Sequence, residues 1–242
     1  MMANWLERTE LLIKKTGVER LQNANILVVG LGGVGGFAAE FIARAGVGKM
    51  TIVDGDTVDI TNINRQLPAL HSTIGKAKTE LISQRLLDIN PYLQLTALHQ
   101  FLNPENMEPL LDGQDFDYIL DCIDSVSPKI ELIKAARKRK IKLVSAMGAG
   151  GKTDPSMVMV RDISKTNNCF LAKQIRKRLR KENINKGFRC VFSNEIQAED
   201  SLKMTDGSQF KKSFYGTMSF MPAIFGLYAA AEAINHILKI ED

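Results

Sequence analysis

The stretch VVGLGGVGGFAAEFIARAG, residues 28–46, limits the fold more than any other part of the chain. The branched apolar run NILVV (25–29) reads as a buried strand ending at Gly30. Gly32, Gly33 and Gly35 come next, and a helix is expected over about 34–45. In that helix Phe37, Phe41 and Ile42 have apolar spacing, and Ala38, Ala39 and Ala43 allow close packing. A strand that turns into a helix on glycines brings backbone N–H groups and the positive end of the helix dipole to one point, which suits phosphate. Taken alone, the turn fits the pyrophosphate of a dinucleotide, the triphosphate of ATP, or tight packing of helix on strand.

The rest of the chain continues the alternation. Strands are expected at 49–54, 93–98, 117–121 and 141–147, and helices at about 4–16, 76–90 (stopped by Pro91) and 128–140 (Pro128 in its first turn). Short apolar strands alternating with helices predict an α/β fold, a doubly wound, mostly parallel sheet with a Rossmann-like N-terminal half. Residues 1–150 read as the ATP-binding or dinucleotide-binding half. Residues 151–242 read as the remainder of the same domain: strand and loop to about 164, a basic helix, an irregular stretch over 183–217 and an apolar helix over 218–238. That last segment is interrupted by Pro222 and carries Glu232, Asn235 and His236, so a buried helix is expected and no membrane span. No apolar signal core opens the chain, and a cytoplasmic location is expected.

Residues beyond the second strand separate the phosphate readings. Asp54 closes that strand 24 residues after Gly30, where a carboxylate can meet ribose hydroxyls. The loop after it, GDTVDITNINRQL, concentrates Asn62, Asn64, Arg65 and Gln66, donors suited to phosphate oxygens and not required by a dinucleotide fold. Lys76 and Lys78 lie in the first turn of the next helix, the end that disfavours a cation, and a nearby polyphosphate would offset that cost. LDCIDS (120–125) puts Asp121 and Asp124 at the end of the fourth strand, where a carboxylate can hold Mg²⁺ against a triphosphate. Two cationic groups, a carboxylate and a glycine turn together describe an ATP site.

GLGGVGG, IVDGD, TNINRQ, GKAK and DCIDS, in that order, resemble the ubiquitin-activating-like adenylating enzymes, and the resemblance covers nearly the whole chain. It implies that Asp54 binds the ribose, with Asp56 in the same motif, and that Asn62, Asn64, Arg65, Gln66 and Lys78 line the nucleotide site. It further implies that Asp124 serves Mg²⁺ and the activated intermediate, and that Arg8 reaches into the neighbour's site in a homodimer. Members that activate sulfur-carrier proteins usually carry two Cys-x-x-Cys zinc pairs. This chain has three cysteines, Cys122, Cys169 and Cys190, and no such pair. Members that form thioesters place a cysteine before the last helix. None occurs after Cys190, which reads as structural.

SAMGAGGKTDPSMVMVRDISKT (145–166), CVFSNE (190–195) and the basic run between them most resemble the tRNA threonylcarbamoyladenosine dehydratases. The resemblance implies ATP-dependent activation of the threonyl carboxylate, followed by ring closure with net loss of water, on a modified adenosine next to the anticodon. The run LAKQIRKRLRK (171–181) fits a polyanionic partner. Leu171, Ile175 and Leu179 form an apolar stripe, and Lys173, Arg176, Lys177, Arg178, Arg180 and Lys181 cover the rest. FKKSF (210–214) offers basic and aromatic groups for stacking. The formal charge of +5 is too small to argue for nucleic acid by itself. The competing readings are an adenylyltransferase for a sulfur-carrier protein and a non-enzymatic ATP-binding scaffold.

Overall fold

A computed structural model describes residues 5–204 and 213–239. Seven strands form one sheet: β1 (Asn25–Val29), β2 (Lys49–Val53), β3 (Gln94–Leu98), β4 (Tyr118–Asp121), β5 (Lys142–Ala146), β6 (Val158–Asp162) and β7 (Arg189–Ser193). Their order is β3-β2-β1-β4-β5-β7-β6, and all neighbours are parallel except β6 on β7. Strands from 1–150 and from 151–242 thus share one sheet, joined where β5 pairs with β7.

The pleat splits each central strand between two cores. On one face Ile26 and Val28 of β1 meet α2 (Gly35–Arg44), α3 (Lys78–Ile89) and α7 (Phe220–Leu238). On the other, Leu27 and Val29 meet α4 (Pro104–Leu111), α5 (Val126–Lys138) and α6 (Phe170–Arg180). Burial of both faces explains the unbroken apolar runs that mark the strands. Gly226 lets α7 lie directly on α2: a Cβ there would stand 2.4 Å from the Val34 carbonyl oxygen. No described helix is long and apolar enough to cross a membrane.

Several elements depart from expectation. The first helix, α1 (Glu7–Asn23), runs past 16 and is broken at Lys14, whose φ of 65° is not helical. Inside the stretch expected to be irregular, 183–217, lie β7 and a hairpin of β8 (Leu202–Met204) and β9 (Ser213–Tyr215). β7 has only Cys190, Val191 and Phe192 as an apolar run, too short to announce a strand, yet it is buried between β5 and β6. α4 is eight residues long and contains Pro109, which hides a helix capped by Asn103. The buried stripe of α6 is Ala172, Ile175 and Leu179, with Leu171 only half-buried. Of FKKSF, residues 210–212 and the side chains of 213 and 214 lie outside the described residues.

Candidate nucleotide site

The glycine turn sits at the carboxyl end of the sheet between β1 and α2. Three of its four glycines are demanded by the protein itself. A Cβ on Gly35 would lie 1.7 Å from the Gly30 carbonyl oxygen, and one on Gly33 would lie 2.9 Å from Pro222. Gly30 has φ +87°, and a Cβ there would lie 2.9 Å from the Cys122 carbonyl oxygen. Packing therefore explains more of this motif than its phosphate-binding appearance suggests. Gly32 differs. The nearest atom to a Cβ there is Gln66 Nε2 at 3.7 Å, so the chain leaves that side of the turn open. The open flank lies at the N-terminus of α2, the positive end of that helix's dipole. Beside it Gln66 Oε1 is buried without a hydrogen-bond partner. An uncovered glycine and an orphaned polar atom together fit a bound nucleotide.

Asp54 braces the turn. Its Oδ2 accepts the Leu31 N–H at 2.6 Å and its Oδ1 accepts the Asp56 N–H at 2.7 Å. Burial raises its pKa, and the nearby Lys78 charge pulls the other way. The asparagine loop folds as a short 3-10 turn capped by Asp59, in which Asn62 Oδ1 accepts the Asp59 N–H. Asn64 Nδ2 donates to the Thr217 carbonyl at 3.1 Å and so ties this loop to the segment before α7. Arg65 donates to the Thr61 carbonyl at 2.8 Å and to Asn64 Oδ1 at 2.9 Å. Burial lowers the Arg65 pKa, while the charge of Asp124 opposes that shift, which sets guanidinium and carboxylate within electrostatic reach. Arginine stays charged in such surroundings.

Lys78 opens α3 and is buried, its ammonium 2.8 Å from Asp56 Oδ2. Of the two lysines expected in the first turn, only Lys78 lies in α3, with Asp56 as a countercharge from the chain itself; Lys76 precedes the helix and is exposed to water.

Asp121 also needs correcting. Its carboxylate is fully buried and turned away from the crevice, 2.9 Å from the Lys129 ammonium, and it accepts the Ser145 hydroxyl at 2.6 Å. The pleat decides this, since Asp121 shares the α5 face with Ile119. Asp124, three residues on, is exposed at the mouth and accepts from Ser125 Oγ at 3.3 Å. Among the described residues no three His, Cys, Asp or Glu side chains cluster as a metal cage. A magnesium ion here would draw most of its ligands from phosphate and water, its usual habit with nucleotides.

The β5–β7 side holds a second polar knot, built mainly within the stretches 145–166 and 190–195, whose residues have no individual role among the sequence expectations. Lys152 is buried, and its ammonium donates to the carbonyls of Ser193 (2.7 Å), Glu195 (2.8 Å) and Asn168 (3.3 Å), while burial lowers its pKa. The Glu195 carboxylate accepts the Thr153 and Asp154 N–H groups, and Gln197 Nε2 donates to the Gly150 carbonyl. Gly151 N–H then reaches the Gly216 carbonyl, one residue from the Thr217 that holds Asn64. Cys190 is fully buried in β7, and burial pushes its thiol far above the usual range, which suits a structural thiol and not a nucleophile.

Around α6 the basic residues divide. Arg176 is half-buried and donates to the Thr166 carbonyl and hydroxyl, and Arg178 donates to Ser127 Oγ of α5 at 2.9 Å. Lys173, Lys177, Arg178, Arg180 and Lys181 are exposed. Arg8 lies exposed on α1. A surface depression of about 460 Å³ among α4, α5 and Ile184 contains none of these residues.

The ThiF family model matches residues 6–242. The chain belongs to the ThiF family. Within that family it is 42% identical over 245 residues to the tRNA threonylcarbamoyladenosine dehydratase of Bacillus subtilis, an alignment covering 98% of this chain and 96% of that protein. The crystal structure of the E. coli tRNA N6-threonylcarbamoyladenosine dehydratase in complex with ATP matches with a TM-score of 0.88 at 35% identity, covering 98% of this chain and 96% of that one. The same enzyme has been solved in complex with AMP. Another relative, the molybdopterin-synthase adenylyltransferase of Salmonella typhimurium, is 38% identical over 129 residues, 53% of this chain and 51% of that protein. The mostly parallel seven-stranded sheet is that of the ThiF fold.

Proposed function

We propose that this chain is an ATP-dependent tRNA threonylcarbamoyladenosine dehydratase. The observation that carries the reading is the convergence of an open Gly32 flank, buried Lys78, Arg65 and Asp124 at the carboxyl end of the sheet, in a chain that aligns over nearly its whole length with such dehydratases. A free carboxylate is a poor electrophile because its leaving group would be oxide. ATP supplies a leaving group by converting the threonyl carboxylate to a mixed anhydride. The chain's own task is to neutralise phosphate charge and align the attack, and it needs little covalent chemistry.

Arg65 grips phosphate oxygens with its remaining donors, Lys78 adds a desolvated positive charge, and the α2 N-terminus offers its N–H groups beside Gly32. Asp54 meets the ribose, with Asn62, Asn64 and Gln66 completing the walls. Asp124 holds the magnesium ion. The carbamoyl group of the same nucleoside then attacks the activated carbonyl carbon and expels the phosphate-bearing leaving group, so water is lost overall. The nucleophile is tethered to the substrate, which accords with Cys190 being inert. The exposed cations of α6 track the tRNA backbone. In a homodimer, Arg8 enters the partner's site, accompanied by Leu11 and Leu12, which are 71% and 81% exposed on α1. The reaction takes place in the cytoplasm.

The carrier-protein reading rests on relatives that align with about half of the chain. ATP consumption separates the two. The dehydratase reading expects nucleotide product only with tRNA carrying linear threonylcarbamoyladenosine and none with unmodified tRNA. Pyrophosphate exchange driven by a Gly-Gly carrier protein, with no response to the modified tRNA, would replace it.

A further inference from the structure

Asp121, Lys129 and Ser145 form a closed polar cluster under the floor of the crevice, and nothing in the reaction above uses it. Lys129 and Asp121 are both 0% exposed, with 2.9 Å between ammonium and Oδ2. The ammonium also donates to Ser145 Oγ (3.1 Å), the Ala146 carbonyl (3.0 Å) and, more weakly, the Asp121 carbonyl (3.4 Å). Ser145 donates to Asp121 Oδ2, and Oδ1 accepts the Ile123 N–H at 3.1 Å.

A fully buried ion pair is a poor way to gain stability. Stripping two charges of water costs about as much as their attraction returns, and well-packed apolar residues often do as well or better. Such a pair makes sense where it fixes one geometry. The geometry fixed here is that of the loop after β4. Asp121 Oδ1 folds that loop back through Ile123 N–H, the residue before Asp124. Lys129 clamps the start of the loop to the end of β5, and Cys122 seats against Gly30 of the glycine turn.

We propose that Asp121, Lys129 and Ser145 are positioning residues: they act through the β4–α5 loop to hold Asp124 where it faces Arg65 and the polyphosphate. The inference rests on the ATP-site reading above. It requires that the cluster matter to Asp124-dependent binding and turnover more than to folding.

The test replaces the cluster by apolar residues of similar size, Asp121→Leu with Lys129→Met and Ser145→Ala, and measures AMP and ATP affinity with and without magnesium. AMP lacks the outer phosphates, so its affinity reports the rest of the site. The expected variant folds with a Tm close to wild type and binds AMP as wild type does. It loses most of the magnesium-dependent gain in ATP affinity, and its turnover falls about 100-fold, as for misplacement of a group by about 1 Å. If that variant does not fold, Ser145→Ala alone keeps the ion pair and should show a smaller loss of the same magnesium response at constant AMP affinity. A folded variant, triple or single, with wild-type magnesium response overturns the inference alone. A wild-type chain whose ATP affinity ignores magnesium overturns the reading of Asp124 beneath it, and the inference with it.

Discussion

The two flanks of the crevice hold their buried cations in different ways. On the β2–β1–β4 flank each buried lysine faces a carboxylate, Lys78 against Asp56 and Lys129 against Asp121. On the β5–β7 flank Lys152 faces three backbone carbonyls, and no carboxylate lies within ion-pairing distance among the described residues. Side-chain pairs can be loosened by water or by a ligand that competes for the charge: Asp56 is 41% exposed on its side chain, so Lys78 can exchange part of its attention for phosphate. A carbonyl cage has no such exit. The first flank leaves a buried cation beside a water-exposed carboxylate, and the second ties the backbone at Asn168, Ser193 and Glu195 together.

Substitutions within the glycine turn put the sharpest strain on this contrast between packing and binding. Gly35→Ala forces a Cβ onto the Gly30 carbonyl oxygen and should yield no soluble folded protein, whereas Gly32→Ala should fold normally and weaken ATP binding. Thermal melts and ATP titrations of both variants decide it, and equal behaviour would erase the distinction between the two glycines.

Next in size, Arg65→Ala should lower turnover by about 10³-fold, on the order of 4 kcal/mol of transition-state stabilisation, with an unchanged melt. Normal turnover in that variant would remove Arg65 from the site.

The lysines test the comparison directly. Lys152→Met leaves the buried Ser193 carbonyl and two part-buried carbonyls without that donor and should cost about 3 kcal/mol, a fall in Tm of roughly 6–12 °C. Lys78→Met leaves Asp56 partly open to water, so it should cost little stability and show its loss in ATP affinity. If the two variants melt alike, the flanks do not differ in this way.

Legibility from sequence divides along the same line. The first flank is legible because its determinants are side chains at strand ends: Asp54 after a run of apolar residues, Arg65 in an asparagine-rich loop, Asp124 beyond β4. The parity of Asp121 is the exception, since a residue's face is fixed only once the strand register is known. On the second flank the stretches 145–166 and 190–195 carry the resemblance but not the contacts. Lys152 reads as an ordinary loop lysine because its partners are carbonyl groups, which every residue possesses. β7 and the β8–β9 hairpin are too short for periodicity to mark. On α6 the count of basic residues is right as composition but uneven as surface, because Arg176 is half-buried against Thr166.

That unevenness gives a smaller effect to measure. Lys177→Ala and Arg180→Ala should each reduce the salt slope of tRNA binding by about one, while Arg176→Ala should act mainly on the melt. Filter binding over a salt series separates the two kinds of loss, and an unchanged slope in the exposed-site variants would take α6 out of the tRNA interface. Smallest of all, Cys190→Ala should leave turnover at the wild-type level, and a folded but inactive protein would restore a covalent mechanism.

The most direct measurement of the dehydratase activity is nucleoside mass spectrometry of tRNA carrying linear threonylcarbamoyladenosine after incubation with the purified chain and magnesium-ATP, with mild work-up. A nucleoside lighter by one water, formed only when ATP is present, is the expected product. A folded, ATP-binding protein that leaves the nucleoside mass unchanged would contradict the proposed function.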